Sequence, residues 1–296
     1  MKSRMMLVFT ACLLFVLGLF PISAQEGQTL TIFAAASLTD VFTEMGKTFK
    51  ADHPGLEIVF NFAGSSELAA QLAEGAPADL FASANNRQMQ VVQEAGRIAG
   101  EPVIFVKNRL VLVVPADNPA GIEGLPDLAN EGVKLVFAAP DVPVRDYTDT
   151  MLEKLVADPA YGEAYREAVL ANLVSEEPNV RQVAAKVALG EADAGIVYRS
   201  DVTPDMAEDV LLLPIPGDIN TIASYPIAIT DDSPQPELAQ AFIDYLLSDE
   251  GQAALAAWNF VPLCADAQAE ATPEPEATPD AAPEITPEAV SDCPVL

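Results

Sequence analysis

The chain has 296 residues, 15 of them Lys or Arg against 44 Asp or Glu, for a formal net charge of −29. That balance argues against nucleic acid or an anionic membrane surface as partner. With one histidine and three cysteines, a Cys/His cage around a metal ion is not expected either.

In chain order, the N-terminus has the form of a secretory signal. Lys2 and Arg4 precede an almost unbroken apolar run from Leu7 to Phe20, and Ile22-Ser23-Ala24 supplies small residues for cleavage. The run is shorter than the ~20 residues of a spanning helix, so residues 1–24 are expected to be a signal peptide rather than an anchor. Cys12 lies inside the run, with too little apolar segment before it for a lipoprotein cysteine.

The body opens with a strand over Thr29 to Ala35, after which Leu38, Val41, Phe42, Met45 and Phe49 recur at helical spacing. Ser37, three residues before Asp40, is expected to cap that helix. A second strand, Leu56 to Phe62, leads through Gly64-Ser65 into a helix from Ser66. A third strand lies within Gly75 to Ser83, and Asn86 to Ala95 is helical. Val103 to Phe105 and Leu110 to Val114 read as two strands around Lys107-Asn108. Past Pro115 the pattern restarts with a strand at Lys134 to Ala138, a helix from Val144 or Asp146, and another over Tyr161 to Asn172. Glu177-Pro178-Asn179-Val180 opens a further helix, with proline at an early position. Strands follow at Ala194 to Tyr198, Val210 to Ile215 and Ile222 to Ile229, then helices at Pro236 to Leu247 and Glu250 to Trp258. Alternating strands and helices imply an α/β fold with a mainly parallel sheet. The restart, and late elements that return to the first half, imply two lobes with crossed connections: residues 25–108 with 225–264, and residues 109–224.

From Ala265 onward the composition changes. There are eight acidic residues, no Lys or Arg, and six prolines. Such a segment cannot bury enough apolar area to offset its ordering entropy, so residues 265–296 are expected to be a disordered tail, dispensable for the body. Cys264 and Cys293 bracket it, either paired or as independent thiols.

In open α/β sheets ligands lie at the carboxyl ends of strands. Ser37, Ser65, the loop 139–144, Val180 and Tyr198 all fall there. A helix N-terminus carries unpaired amides and a positive dipole end, and so receives anions. Two strand-to-serine-to-helix turns therefore point to one small anion between helix ends. The acidic surface does not forbid this, because charge acts over a Debye length of ~8 Å in physiological salt. The alternatives are ordinary caps at Ser37 and Ser65 and a packed aromatic at Tyr198. A serine hydrolase using Ser37 or Ser65 needs a base. The one histidine, His53, sits in the turn Asp52-His-Pro-Gly55, at the far end of the first helix from Ser37. No catalytic residue is assigned.

Four tracts occur in order: Phe33-Ala-Ala-Ala-Ser37-Leu-Thr, Phe62-Ala-Gly-Ser65-Ser66-Glu-Leu-Ala, Gly75-Ala-Pro-Ala-Asp79-Leu-Phe-Ala-Ser83 and Ala192-Asp-Ala-Gly-Ile-Val-Tyr198. Together they resemble the periplasmic molybdate-binding proteins of ABC-type molybdate importers, over about Thr29 to Pro262. The resemblance implies a two-lobed periplasmic-binding-protein fold with an oxyanion in the interlobe cleft. Its ligands would be Ser37 and Ser65 through hydroxyl and amide, Val144 and Val180 through amides, and Tyr198 through its phenol. Molybdenum would enter only as molybdate, through these residues, and no cofactor is implied. Ser65 is taken over Ser66 by counting from Phe62. Related proteins commonly carry glycine after the Val144 position, where this chain has Arg145. Arg145 then either adds a positive charge near the anion or points to solvent. The resemblance further implies an exported monomer, in the periplasm or on the outer face of the membrane, that serves a membrane permease and binds no nucleic acid. Tungstate would bind as molybdate does. Sulfate or another tetrahedral oxyanion is the alternative ligand, and an adhesion or sensor module using the acidic tail is the reading from another class.

Overall fold

The computed structural model describes residues 28–263. The signal peptide, Cys12, the Cys264–Cys293 pairing and the acidic tail lie outside the described residues.

The fold is built on one mixed sheet. In chain order its elements are β1 (Thr29–Ala35), α1 (Thr39–Asp52), β2 (Glu57–Ala63), α2 (Ser65–Ala73), β3 (Leu80–Ala82), α3 (Asn86–Glu94) and β4 (Ile98–Pro115). These are followed by β5 (Leu135–Ala138), α4 (Pro143–Ala157), α5 (Gly162–Ala171), β6 (Leu173–Glu177), α6 (Val180–Ala188) and β7 (Ala194–Tyr198). The last are β8 (Val210–Pro214), β9 (Ile222–Thr230), α7 (Pro236–Leu247) and α8 (Asp249–Ala257). The strand order is β2-β1-β3-β9-β4-β7-β5-β6, with β8 also on β4. β1 runs parallel to β2 and β3, and β5 runs parallel to β6 and β7. Each of these parallel groups heads one half of the molecule and ends its strands toward the middle.

β4 joins the two halves. Its first part, from Ile98 to Arg109, pairs with β9, and its last part, from Leu110 to Pro115, pairs with β7 and β8. This corrects the sequence reading of two strands about Lys107-Asn108. The alternation fails there because Asn108, at the change of partners, is fully buried and polar, a position that apolar periodicity cannot register. The sheet is also not mainly parallel. The β3–β9, β4–β9, β4–β7 and β4–β8 pairs are antiparallel. Apolar runs identify strands but carry no direction, and β9 returns to the first half reversed.

Two further readings change. Leu173–Glu177 forms β6, a strand missed in the sequence because it pairs only with β5 and exposes Val174. Pro178 does not lie inside a helix. It precedes the N-cap Asn179, whose side chain accepts from the Gln182 amide at 3.1 Å. The packed interior explains why the halves hold their shape. Phe42 of α1 meets Phe105 of β4 and Phe242 of α7 with centroids 5.8 and 5.7 Å apart, so the late helices close over the first half.

Candidate functional site

All five residues singled out in the sequence line one cavity where the two halves face each other. Its wall includes Ser37, Gly64, Ser65, Val142 to Val144, Asn179, Val180 and Tyr198. Four of them arrive by the same local route, a strand that ends and leads through a short turn into a helix, and Tyr198 is the last residue of β7. After β1, residues Ala36–Leu38 form a 3-10 turn that runs into α1, and Ser37 lies in it. Ser65 is the first residue of α2, Val144 the second of α4, and Val180 the first of α6. Amides at such positions have no intrahelical acceptor, and the four helix starts add their positive ends at one point.

The hydroxyls are held rather than free. Ser37 is 2 % exposed and its Oγ lies 2.9 Å from the Tyr225 hydroxyl. It does not cap α1 through its side chain, which corrects the sequence reading. Ser65 is 1 % exposed, and its Oγ accepts from the Ala84 amide at 3.0 Å. With one lone pair so engaged, its proton is left to point elsewhere, and the cavity is the neighbouring space. Ser66 is half-buried and does not line the cavity. The Tyr198 hydroxyl is buried and has no hydrogen-bond partner among the described residues. Burial raises its pKa well above the ordinary tyrosine value, so it remains a neutral donor. A buried donor without a partner is costly, and one that faces a cavity is completed by whatever fills it.

Among the described residues, no carboxylate and no cation lines the cavity. Arg145 takes neither course left open by the sequence. It is buried on the other side of α4, donating to Ala138 O at 3.1 Å and pairing with Glu176 at 2.6 Å and Asp149 at 2.9 Å. Two carboxylates thus balance its charge. His53 ends α1, with its ring stacked on Phe49 at 4.0 Å and Nδ1 2.8 Å from Phe49 O. It lies far from both serines and offers neither a base.

The halves touch across the cavity. A Cβ on Gly64 would stand 2.4 Å from Pro178 O, so the turn into α2 and the turn into α6 are in backbone contact. On one flank Arg181 of α6 pairs with Asp40 of α1. On the other, Arg87 of α3 pairs with Asp141 and Asp146, and Asn85 donates to Asp146 at 2.8 Å. Gly64, Tyr225 and Asn179 also belong to the site and its surroundings, and local sequence pattern does not mark them.

Arg181 also lies 2.9 Å from Asp201, off the line of a good hydrogen bond. Asp201 is fully buried and accepts from the Tyr198 amide at 3.2 Å. Burial pushes its carboxyl up to about 6, against the pull of the Arg181 guanidinium. A carboxyl raised on folding favours the folded chain where it is protonated, below its unfolded value near ~4, and that contribution is lost as pH rises through about 6. The effect is on the order of 2 kcal/mol. Between pH 4 and 7 the melting temperature of the wild type should therefore fall more than that of Asp201→Asn. Parallel pH profiles would show that Asp201 is charged throughout.

Comparison with known proteins places these features. The family model for bacterial extracellular solute-binding proteins matches residues 30–261. The molybdate-binding protein ModA of Mycobacterium tuberculosis is 40% identical over 228 residues, 77% of this chain and 82% of that protein. Among solved structures, the periplasmic molybdate-binding protein of Azotobacter vinelandii superposes with a TM-score of 0.67 at 19% identity, covering 78% of this chain and 98% of that one. The sulfate-binding protein SubI of Mycobacterium tuberculosis superposes at 0.72 with 19% identity, covering 84% and 92%. The fold is the two-lobed one of periplasmic binding proteins, and the cavity lies between the lobes.

Proposed function

The chain belongs to the bacterial extracellular solute-binding proteins, and from that premise we propose that it captures molybdate between its lobes and delivers it to the permease of an ABC-type importer. The observation that carries this reading is the cavity that gathers hydroxyls and free amides at four helix starts, with no carboxylate among its described lining residues. Ser37 and Ser65 donate through hydroxyl and amide, Val144 and Val180 through amides, and Tyr198 through its phenol. Molybdate is a tetrahedral dianion without a proton at neutral pH, so every oxygen accepts. Phosphate carries a proton there, and a site without a carboxylate lacks a strong acceptor for it, at a cost that discriminates against phosphate. The relative that is 40% identical is a molybdate-binding protein by name, which favours the same ligand here.

The finer points belong to the same proposal. Tungstate, with the charge and nearly the size of molybdate, is taken by the same site. The first lobe comprises residues 25–108 and 225–264, the second 109–224. The change of partners in β4 between Arg109 and Leu110 supports the first crossing. The protein works as a monomer in the periplasm or on the outer face of the membrane, and performs no catalysis.

Sulfate is the second reading, favoured by the likeness to a sulfate-binding protein and by the equal charge of the two anions. Calorimetric titration of the purified body with molybdate, tungstate, sulfate and phosphate separates the two. The expected order is molybdate and tungstate together, sulfate weaker, phosphate weakest. Sulfate binding more tightly than molybdate would replace the first reading by the second.

A further inference from the structure

We propose that Tyr225 is a positioning residue that fixes the direction of the Ser37 hydroxyl, so that Ser37 can only donate to the bound anion; this rests on the reading of the cavity as an oxyanion site. Ser37 Oγ and the Tyr225 hydroxyl are 2.9 Å apart, and by distance alone either is the donor. The surroundings of Tyr225 decide between them. Its side chain is fully buried, and the other polar neighbour of its hydroxyl is Asn108 Nδ2 at 3.5 Å. The Asn108 amide has a fixed orientation, because Oδ1 accepts from the Arg109 amide at 2.9 Å and Nδ2 donates to Ser200 Oγ at 2.8 Å. Asn108 therefore turns an N–H, not an oxygen, toward the phenol.

Among the described residues the phenol proton then has one acceptor within hydrogen-bond distance, Ser37 Oγ. If Ser37 donated instead, that proton would be buried without a partner, the costly arrangement. Donation runs from Asn108 to Tyr225 to Ser37, and the Ser37 proton has to leave toward the cavity that Ser37 lines. A hydroxyl can ordinarily rotate and offer either a proton or a lone pair. Here the choice is removed before the ligand arrives. The chain begins at Asn108, next to the point where β4 changes partners, and runs through β9 to aim a donor on β1's exit turn.

The test is a double-mutant cycle over Tyr225→Phe and Ser37→Ala, titrated with molybdate and with inorganic phosphate at pH 7. Tyr225→Phe should weaken molybdate binding about three- to tenfold beside Ser37 and leave it unchanged in the Ser37→Ala background. It should also lower the preference for molybdate over phosphate, because a freed Ser37 accepts the phosphate proton. Equal losses in both backgrounds, no loss beside Ser37, or an unchanged preference would each overturn the proposal. If Tyr225→Phe does not fold, Asn108→Ala releases the phenol from its donor and is expected to lower the same preference, with an unchanged preference again overturning it. A wild-type chain that binds no molybdate overturns the reading of the cavity itself, and this proposal with it. A wild type that binds while the cycle shows no coupling overturns the positioning role alone.

Discussion

Gly64→Ala is expected to weaken molybdate binding by roughly tenfold to a hundredfold while the chain still folds. The added Cβ would stand 2.4 Å from Pro178 O, and the obstacle is backbone rather than a flexible side chain. Gly64 has φ −59, a value that alanine adopts without strain, so each half tolerates the change by itself. The penalty falls on bringing the halves together. Overpacking of this kind costs ~1–3 kcal/mol, and it is charged to the closed, liganded form. The checks are the dissociation constant by calorimetry and the melting temperature without ligand. A variant with wild-type affinity would show that the α2 and α6 turns do not need to touch for binding.

Ser65→Ala and Ser37→Ala should each weaken molybdate binding by roughly tenfold or more, the cost of a hydrogen bond to a charged partner being ~1.5–3 kcal/mol. Ser65→Ala also leaves the Ala84 amide, which its Oγ satisfies at 3.0 Å, without an acceptor. Its effect on the melting temperature should accordingly exceed a bare loss of ligand contact. Unchanged affinity in both variants would remove the two serines from the site.

The candidate site was legible in the sequence to the extent that its chemistry is local. Ser37, Ser65 and Val180 each sit at the junction of a strand and a helix, and a junction is written in a few consecutive residues. Tyr198 was legible only as the end of a strand. What holds these groups was not legible. Tyr225 reaches Ser37 from 188 positions away, and no spacing rule connects them. Arg145 lies beside the site in sequence, but its partner Glu176 belongs to an edge strand, so its turning away from the cavity was decided by tertiary pairing. The same holds for the fold. The β1-α1-β2 unit follows from alternation of period 2 and helical recurrence, whereas the passage of β4 from one half to the other depends on which strands lie beside it. The overlooked β6 has few apolar residues because one of its edges is open.

On the proposed reading the donors are divided between the lobes, Ser37 and Ser65 on one, Val144, Val180 and Tyr198 on the other. Neither lobe alone encircles a tetrahedral ion, so grip exists only while both are in place. With no lining cation to neutralise and no lining acid to protonate among the described residues, unloading on that reading requires no chemical event. A permease that drew the lobes apart by a few ångströms would replace part of the coordination with water at a stroke, and the cargo would leave at the pH and salt at which it was taken up.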